Sequence, residues 1–332
     1  MSDANLHPRD VFTLEGVERA EAEFLAALQS GRLHHAWMLV GPQGSGKATF
    51  AYRAARRLLG ARPDPAYGQL GSSPDDPVSR QVAARSHPDL LVLEREVDEG
   101  KARRNIPVDE ARRLPEFFSK SPAASPWRVA IVDAADDLNI NAASAVLKTL
   151  EEPPARGVLL LVCHAPGRLL PTIRSRCRRL QFPPWEEGAL TAFLEARGVS
   201  AHDAERLAPM AGGAPGRALV LAKSGALELD RAALELLRRL PDADEPALLA
   251  LAGELRGAEG AARLELLFER LADHVGRMVE ETAGSSVSGR LEPWMNAWDS
   301  LTGLPGEAEA LNLDRQDVFW TAVAALRQAA RA

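Results

Sequence analysis

Cysteine is nearly missing from this chain: 332 residues carry two, Cys163 and Cys177. Two thiols cannot build a disulfide scaffold or a four-thiolate zinc site. Long apolar runs are missing as well. None approaches the roughly 18 residues of a membrane span, and the N-terminus lacks the basic and apolar parts of a signal segment. No membrane partner and a reducing cytoplasm are therefore expected. Positive charge is not in excess either. The net charge of −6 argues against a generally basic nucleic-acid coat, though local patches remain open. Arginines do cluster, at Arg103, Arg104, Arg112 and Arg113, and again at Arg174, Arg176, Arg178 and Arg179. What is present, 46% hydrophobic and 26% charged residues, is the balance of a globular protein. The length calls for two or three domains.

Short apolar runs alternate with helical patterns in the first half, the mark of an α/β unit with a parallel sheet. Strands are expected at Ala36–Val40, Asp89–Leu93, Val129–Asp133, Gly157–Cys163 and Arg179–Phe182. Helices are expected at Lys47–Leu59, Asp109–Phe118 and Ala142–Leu150. The last is stopped by Pro153-Pro154, and Asn139 or Asn141 is placed to cap its start. Residues 60–87 hold many Pro, Gly, Ser and Asp and predict an irregular insertion. After Pro184 strand signals vanish and Ala, Leu, Glu and Arg dominate. A small helical unit is expected to follow, with a glycine turn at Gly212–Gly216, then an all-helical region loosened around Ala283–Gly289.

One stretch carries the clearest chemistry. GPQGSGKAT follows a strand, opens a helix and sets Gly41, Gly46 and Lys47 in the register of a phosphate-binding loop, with Pro42, Gly44 and Ser45 between. Backbone N–H groups and a helix start would face an anion there, and Lys47 would reach the outer phosphates. The next position should bring a hydroxyl for Mg²⁺, but it is Ala48. Thr49 comes one residue late, about 100° round the helix. A second acidic element should end an apolar strand, and Asp133 does. Its neighbour is Ala134, so an adjacent carboxylate is missing. Asp136 is either a displaced substitute or an acid of a solvated or capping loop. Two parts of a hydrolysis site are thus weakened together.

The run DAADDLNINAASAVLKTLEEPP at Asp133–Pro154 and TIRSRC at Thr172–Cys177 resembles bacterial clamp loaders of the AAA+ superfamily. HPDL at His87–Leu90 and GGAPGRAL at Gly212–Leu219 extend the resemblance over about the first 220 residues. It implies an AAA+ P-loop α/β domain (1–185), a helical lid (186–225) and a helical collar (226–332). It also implies a catalytic role in trans for Arg176, between Ser175 and Cys177: an arginine finger offered to ATP held by a neighbouring subunit. Arg217 corresponds to a sensor arginine of the lid, or else is a surface arginine at a helix start. The implied nucleotide site is Gly41, Pro42, Gly44, Ser45, Gly46, Lys47, Ala48, Thr49, Asp133 and Arg217.

Departures from the motor pattern at Ala48 and Ala134 point to the non-hydrolysing member of such a loader. No cofactor is required on this view, and ATP or ADP is held without turnover if at all. Relatives often carry a zinc module in the insertion, but residues 60–87 contain no cysteine, so no zinc is expected. Implied partners are the motor (gamma or tau) and delta subunits, the sliding clamp, and primed DNA indirectly. An active loader motor or other AAA+ ATPase is the first competing reading and a small-molecule P-loop kinase the second. Cys163 and His164, where motors keep a polar sensor, face a phosphate or simply close a strand end. In the L-K-T-L-E-E-P-P block Leu147 and Leu150 are expected inward and Lys148 in solvent. The Arg103–Arg113 cluster meets either DNA phosphates or acidic side chains.

Overall fold

All-apolar strands have no polar face to leave in water, so they form a sheet covered on both sides. The computed structural model describes residues 7–95, 97–98, 101–102, 105–257, 260–283 and 291–331, and these fall into two units, Met1–Val220 and Leu221–Ala332. In the first, β1 (Ala36–Val40), β2 (Leu90–Glu94), β5 (Arg128–Asp133), β6 (Gly157–Cys163) and β7 (Arg178–Gln181) lie in the order β2-β5-β6-β1-β7, every neighbouring pair parallel. A short antiparallel hairpin, β3 (Val97–Asp98) with β4 (Lys101–Ala102), stands apart. Alternation hidden in the apolar runs decides which face each residue covers. Trp37, Leu39, Ile131 and Leu160 join one core with Phe24 of α1 (Glu18–Gln29) and Phe50 of α2 (Lys47–Leu58). Met38, Val132 and Leu161 join the other with Leu114 of α4 (Val108–Phe118) and Val146 of α5 (Ile140–Glu151).

Most predicted elements are present, shifted by a residue or two. Asn139 caps α5, its side chain accepting the Ala142 N–H at 2.8 Å. Val146 and Leu150 are buried, Leu147 half-buried and Lys148 exposed. The insertion is the exception to the expected irregularity. It contains α3 (Pro77–Ala83), started by Asp76, which accepts the N–H groups of Val78 and Ser79 at 2.9 and 3.2 Å. Proline at the first helical position costs nothing, since that N–H has no helical acceptor. Among the described residues no group of three His, Cys, Asp or Glu is placed to hold a metal ion.

Arginine anchors the insertion. Arg53 of α2, 1% exposed, donates to Glu21 at 2.6 Å, to the Tyr67 carbonyl at 2.7 Å and to the Phe12 carbonyl. The second oxygen of Glu21 accepts the Leu70 N–H at 3.3 Å. Arg56, one turn on, donates to the Arg9 carbonyl and lies 4.1 Å over the Phe12 ring. In the HPDL segment Asp89 is fully buried and accepts from the N–H groups of Ala123, Ala124 and Ser125 and from the Ser125 hydroxyl. Burial opposes its ionisation, but those donors and Arg128 outweigh it and hold the carboxyl below its ordinary value.

Helices α6 (Pro171–Arg174), α7 (Glu187–Glu195), α8 (Ala201–Met210) and α9 (Pro215–Leu221) complete the first unit, apart from the last residue of α9. The stretch expected to form a lid thus lies largely in this unit. The second unit is helical among its described residues: α10 (Ala226–Arg238), α11 (Glu245–Glu254), α12 (Gly260–Ala283), α13 (Leu291–Leu311) and α14 (Arg315–Arg331). Leu229, Leu267, Phe268, Leu301, Phe319 and Leu326 lie in its core. Most of the loosened stretch, 284–289, lies outside the described residues. No described helix is long and apolar enough to cross a membrane.

Removing Glu21 strands the Arg53 charge in the interior. Glu21→Ala is expected to destabilise the chain by about 3–5 kcal/mol, measured by urea unfolding. A loss below about 1 kcal/mol would show that the pair does not hold the insertion.

Candidate functional site

The carboxyl ends of β1, β5 and β6 bring the glycine loop, Asp133 and Cys163-His164 to one edge, where α/β sheets bind ligands, whereas Arg176 precedes β7 and lies at the amino ends of the strands. The loop between β1 and α2 turns through two left-handed residues, Gly44 at φ +82° and Gly46 at φ +86°, conformations that side-chain-bearing residues rarely adopt. Both are also tightly covered. A Cβ on Gly46 would lie 2.6 Å from a Leu14 methyl, and one on Gly44 would lie 2.6 Å from the Arg217 amide nitrogen. The Gly216 N–H donates to the Gly44 carbonyl at 2.8 Å, so the start of α9 is bonded to the loop tip.

Lys47 does not reach outward. It is 2% exposed, and its ammonium donates to the carbonyls of Gly41 at 2.7 Å and Pro42 at 2.5 Å, with the Ser45 hydroxyl at 3.4 Å. Burial pulls it down to about 8, against the opposing fields of Asp136 and Asp133. Ala48 supplies no hydroxyl, and Thr49 is buried on α2. As arranged, these residues do not fit a magnesium–nucleotide: the ammonium is engaged by its own loop and the metal hydroxyl is missing. The tip is also fastened to α9.

Asp133 ends β5, and burial followed by the Glu94 carboxylate pushes it up to about 6. Asp136 is half-buried. Its carboxylate accepts the N–H groups of His164 at 2.9 Å and Ala165 at 3.1 Å, fastening the end of β6. Cys163 is fully buried in the sheet core, where burial pushes its thiol up to about 12. Sequence reasoning missed Leu14 and the bond from Gly216, because both approach the loop from elsewhere in the chain. The GGAPG turn was the one available signal for the second.

The S-R-C triplet has a simple local logic. The Ser175 hydroxyl donates to the Thr172 carbonyl at 3.1 Å, and Cys177 packs against the sheet core. Arg176 between them is left with a side chain 38% exposed. It donates to the Thr172 carbonyl at 3.1 Å and pairs with Glu151 at 3.1 Å. The other arginines of both clusters that have described partners are likewise met by acids: Arg112 by Asp109, Arg113 by Glu110 and Arg178 by Glu23. Arg103 and Arg104 lie outside the described residues.

Together these features define a class: an α/β domain with a glycine-rich loop between β1 and α2, an arginine turn between β6 and β7, and a helical second unit. A family model described as DNA polymerase III, delta subunit, matches residues 16–186, and the chain belongs to that family. The DNA polymerase III subunit delta' of Pseudomonas aeruginosa is 37% identical over 209 residues, covering 62% of this chain and 61% of that one. The delta' subunit of Escherichia coli K12 is 32% identical over 258 residues, covering 77% and 74%. A gamma/tau subunit of Mycobacterium bovis is 33% identical over 201 residues, covering 59% of this chain and 33% of that one.

Asp133 offers a pH test of the strand-end geometry. Its carboxyl titrates above the ordinary value of 3.8, near 6, so the ionised form weakens the fold at pH above about 6 and the cost disappears below 3.8. Asp133→Asn is expected to stabilise the chain by about 1–2 kcal/mol at pH 8, with the gain fading through pH 6 and absent at pH 3.5. A pH-independent effect in thermal unfolding would contradict the burial of this charge.

Proposed function

We propose that this chain is the delta-prime subunit of a bacterial clamp loader, working without hydrolysing nucleotide itself. Docked beside a motor subunit, it offers Arg176 to the ATP held there and helps couple turnover to loading of the sliding clamp at primed DNA. The observation that carries the proposal is a contrast between two cations. Lys47 is buried and bonded to its own loop, whereas Arg176 stands partly open on a turn whose neighbours are tied down. A guanidinium suits this work because its charge is permanent and its planar fork fits phosphate oxygens. Supplied in trans, such a group stabilises charge that develops on the transferring phosphoryl group. Family membership supports a place in a polymerase III assembly, with gamma or tau and delta subunits as its neighbours. The helices from α10 onward would carry contacts with them.

The gamma/tau match favours a second function, an active motor. Against it stand Ala48, the engaged Lys47 and the absence of an acid beside Asp133. Steady-state ATPase separates the two. The purified chain is expected to show no turnover, and nucleotide binding that is weak and indifferent to Mg²⁺. Turnover that Lys47→Ala abolishes would establish the motor instead.

In the reconstituted loader, Arg176→Ala is expected to cut ATPase several-fold while the subunits still co-elute on size exclusion. Unchanged ATPase would remove the trans role from Arg176.

A further inference from the structure

The acid that meets Arg176 comes from a different element, and its placement is unfavourable for its own helix. Glu151 is the last residue of α5, where unpaired carbonyls make a negative end that disfavours carboxylates by a few tenths to about 1 kcal/mol. A second acid, Glu152, follows, and Pro153-Pro154 stop the chain from continuing as helix. Helix stability therefore gives no reason for a carboxylate here, whereas Arg176 at 3.1 Å does.

The two side chains meet because their elements share one core. Ile173 of α6 is fully buried in the same cluster as Val146 and Leu150 of α5, so the distance between the end of α5 and the S-R-C turn is set by packing. Arg176 spends one terminal nitrogen on the Thr172 carbonyl and the other on Glu151. That gives its charge a counter-ion in its own chain. The side chains are 38% and 48% exposed, and an ion pair this open to water contributes about 0–1 kcal/mol. It is too weak to matter for folding, and weak enough for a multiply charged phosphate to displace.

We propose that Glu151 is a positioning residue for Arg176, a latch within the chain that holds the guanidinium against α5 until a partner's phosphate takes its place. The proposal rests on the trans role of Arg176 argued above. It makes the resting subunit a poor finger, and couples engagement of Arg176 to the close approach of the neighbouring site. Glu151 touches no reacting atom; it sets how readily Arg176 is released.

Glu151→Gln keeps the shape and a hydrogen-bond acceptor but removes the competing charge. In the reconstituted loader, assayed without clamp or DNA, it is expected to raise kcat for ATP two- to fivefold. KM should stay unchanged, because the motor subunit's own loop holds the nucleotide. The double variant Glu151→Gln/Arg176→Ala should match Arg176→Ala alone, since a latch has no effect without its bolt. Thermal unfolding of the single variant should stay close to that of the parent chain, which separates release of Arg176 from damage to the fold. If Arg176→Ala lowers ATPase but Glu151→Gln leaves it unchanged or lowers it, the latch is wrong and the finger stands. A gain that persists in the double variant would also overturn the latch, by showing that Glu151 acts apart from Arg176. If Arg176→Ala itself changes nothing, both the finger and the latch fall together.

Discussion

A guanidinium that is 1% exposed must be met on every side, and much of the first unit is arranged around meeting Arg53. An unpaired buried charge costs several kcal/mol, so each partner is held as firmly as the charge itself. Glu21 comes from α1, the Phe12 carbonyl from the N-terminal segment and the Tyr67 carbonyl from the insertion. A helix, the N-terminal segment and the insertion are thereby fastened to α2. That helix begins at Lys47, so the same network fixes the path of residues 7–14 beside the phosphate loop. Leu14, which covers Gly46, sits two residues beyond the carbonyl that Arg53 holds.

The loop keeps the glycines of a phosphate cradle, and the structure gives them a second reason to remain. Gly44 and Gly46 need their left-handed backbone, but they also lie against Arg217 and Leu14 with no room for a Cβ. Packing alone would therefore preserve the pattern after phosphate binding had weakened. Lys47 follows the same logic. A buried ammonium lowers its cost by donating to nearby carbonyls, and Gly41 and Pro42 supply them. The residues of the motif are thus structural partners of one another as well as a phosphate-binding pattern.

How much was legible in the sequence follows from the range of the forces involved. The five strands, α2, α4 and α5 could be read from local patterning, and so could the Asn139 cap, because each depends on residues a few positions apart. The S-R-C turn was legible as a motif, and its geometry explains the residue types: a hydroxyl to close the turn, a small thiol to pack, an arginine left over. The rest depends on distant partners. Arg53 and Arg56 lie in a helical run whose pattern suggests a wet face, and they are buried only because residues 14 to 47 positions away come to meet them. Helix α3 was missed because an Asp-Pro pair is as good a turn signal as it is a helix start. The bonds that the Asp136 carboxylate accepts from two N–H groups at the end of β6 could not be read from local pattern either, since those groups lie 28 and 29 positions away.

The acidic balance of the chain bears on how its arginines can be used. Arg112, Arg113, Arg176 and Arg178 each meet a carboxylate of the same chain, within three residues for Arg112 and Arg113 and far away for Arg176 and Arg178. A phosphate reaching any of them therefore exchanges one counter-ion for another. Exposed pairs give up little in that exchange, and the gain depends on how many donors the new anion can engage at once. A carboxylate can satisfy two parallel N–H groups, and a polyphosphate can present more oxygens of higher charge. The exchange therefore favours a clustered, multiply charged anion held in fixed geometry over the evenly spaced single charges of a nucleic-acid backbone. A net negative chain in which Arg112, Arg113, Arg176 and Arg178 each already meet a carboxylate is poorly suited to coating DNA through those four side chains.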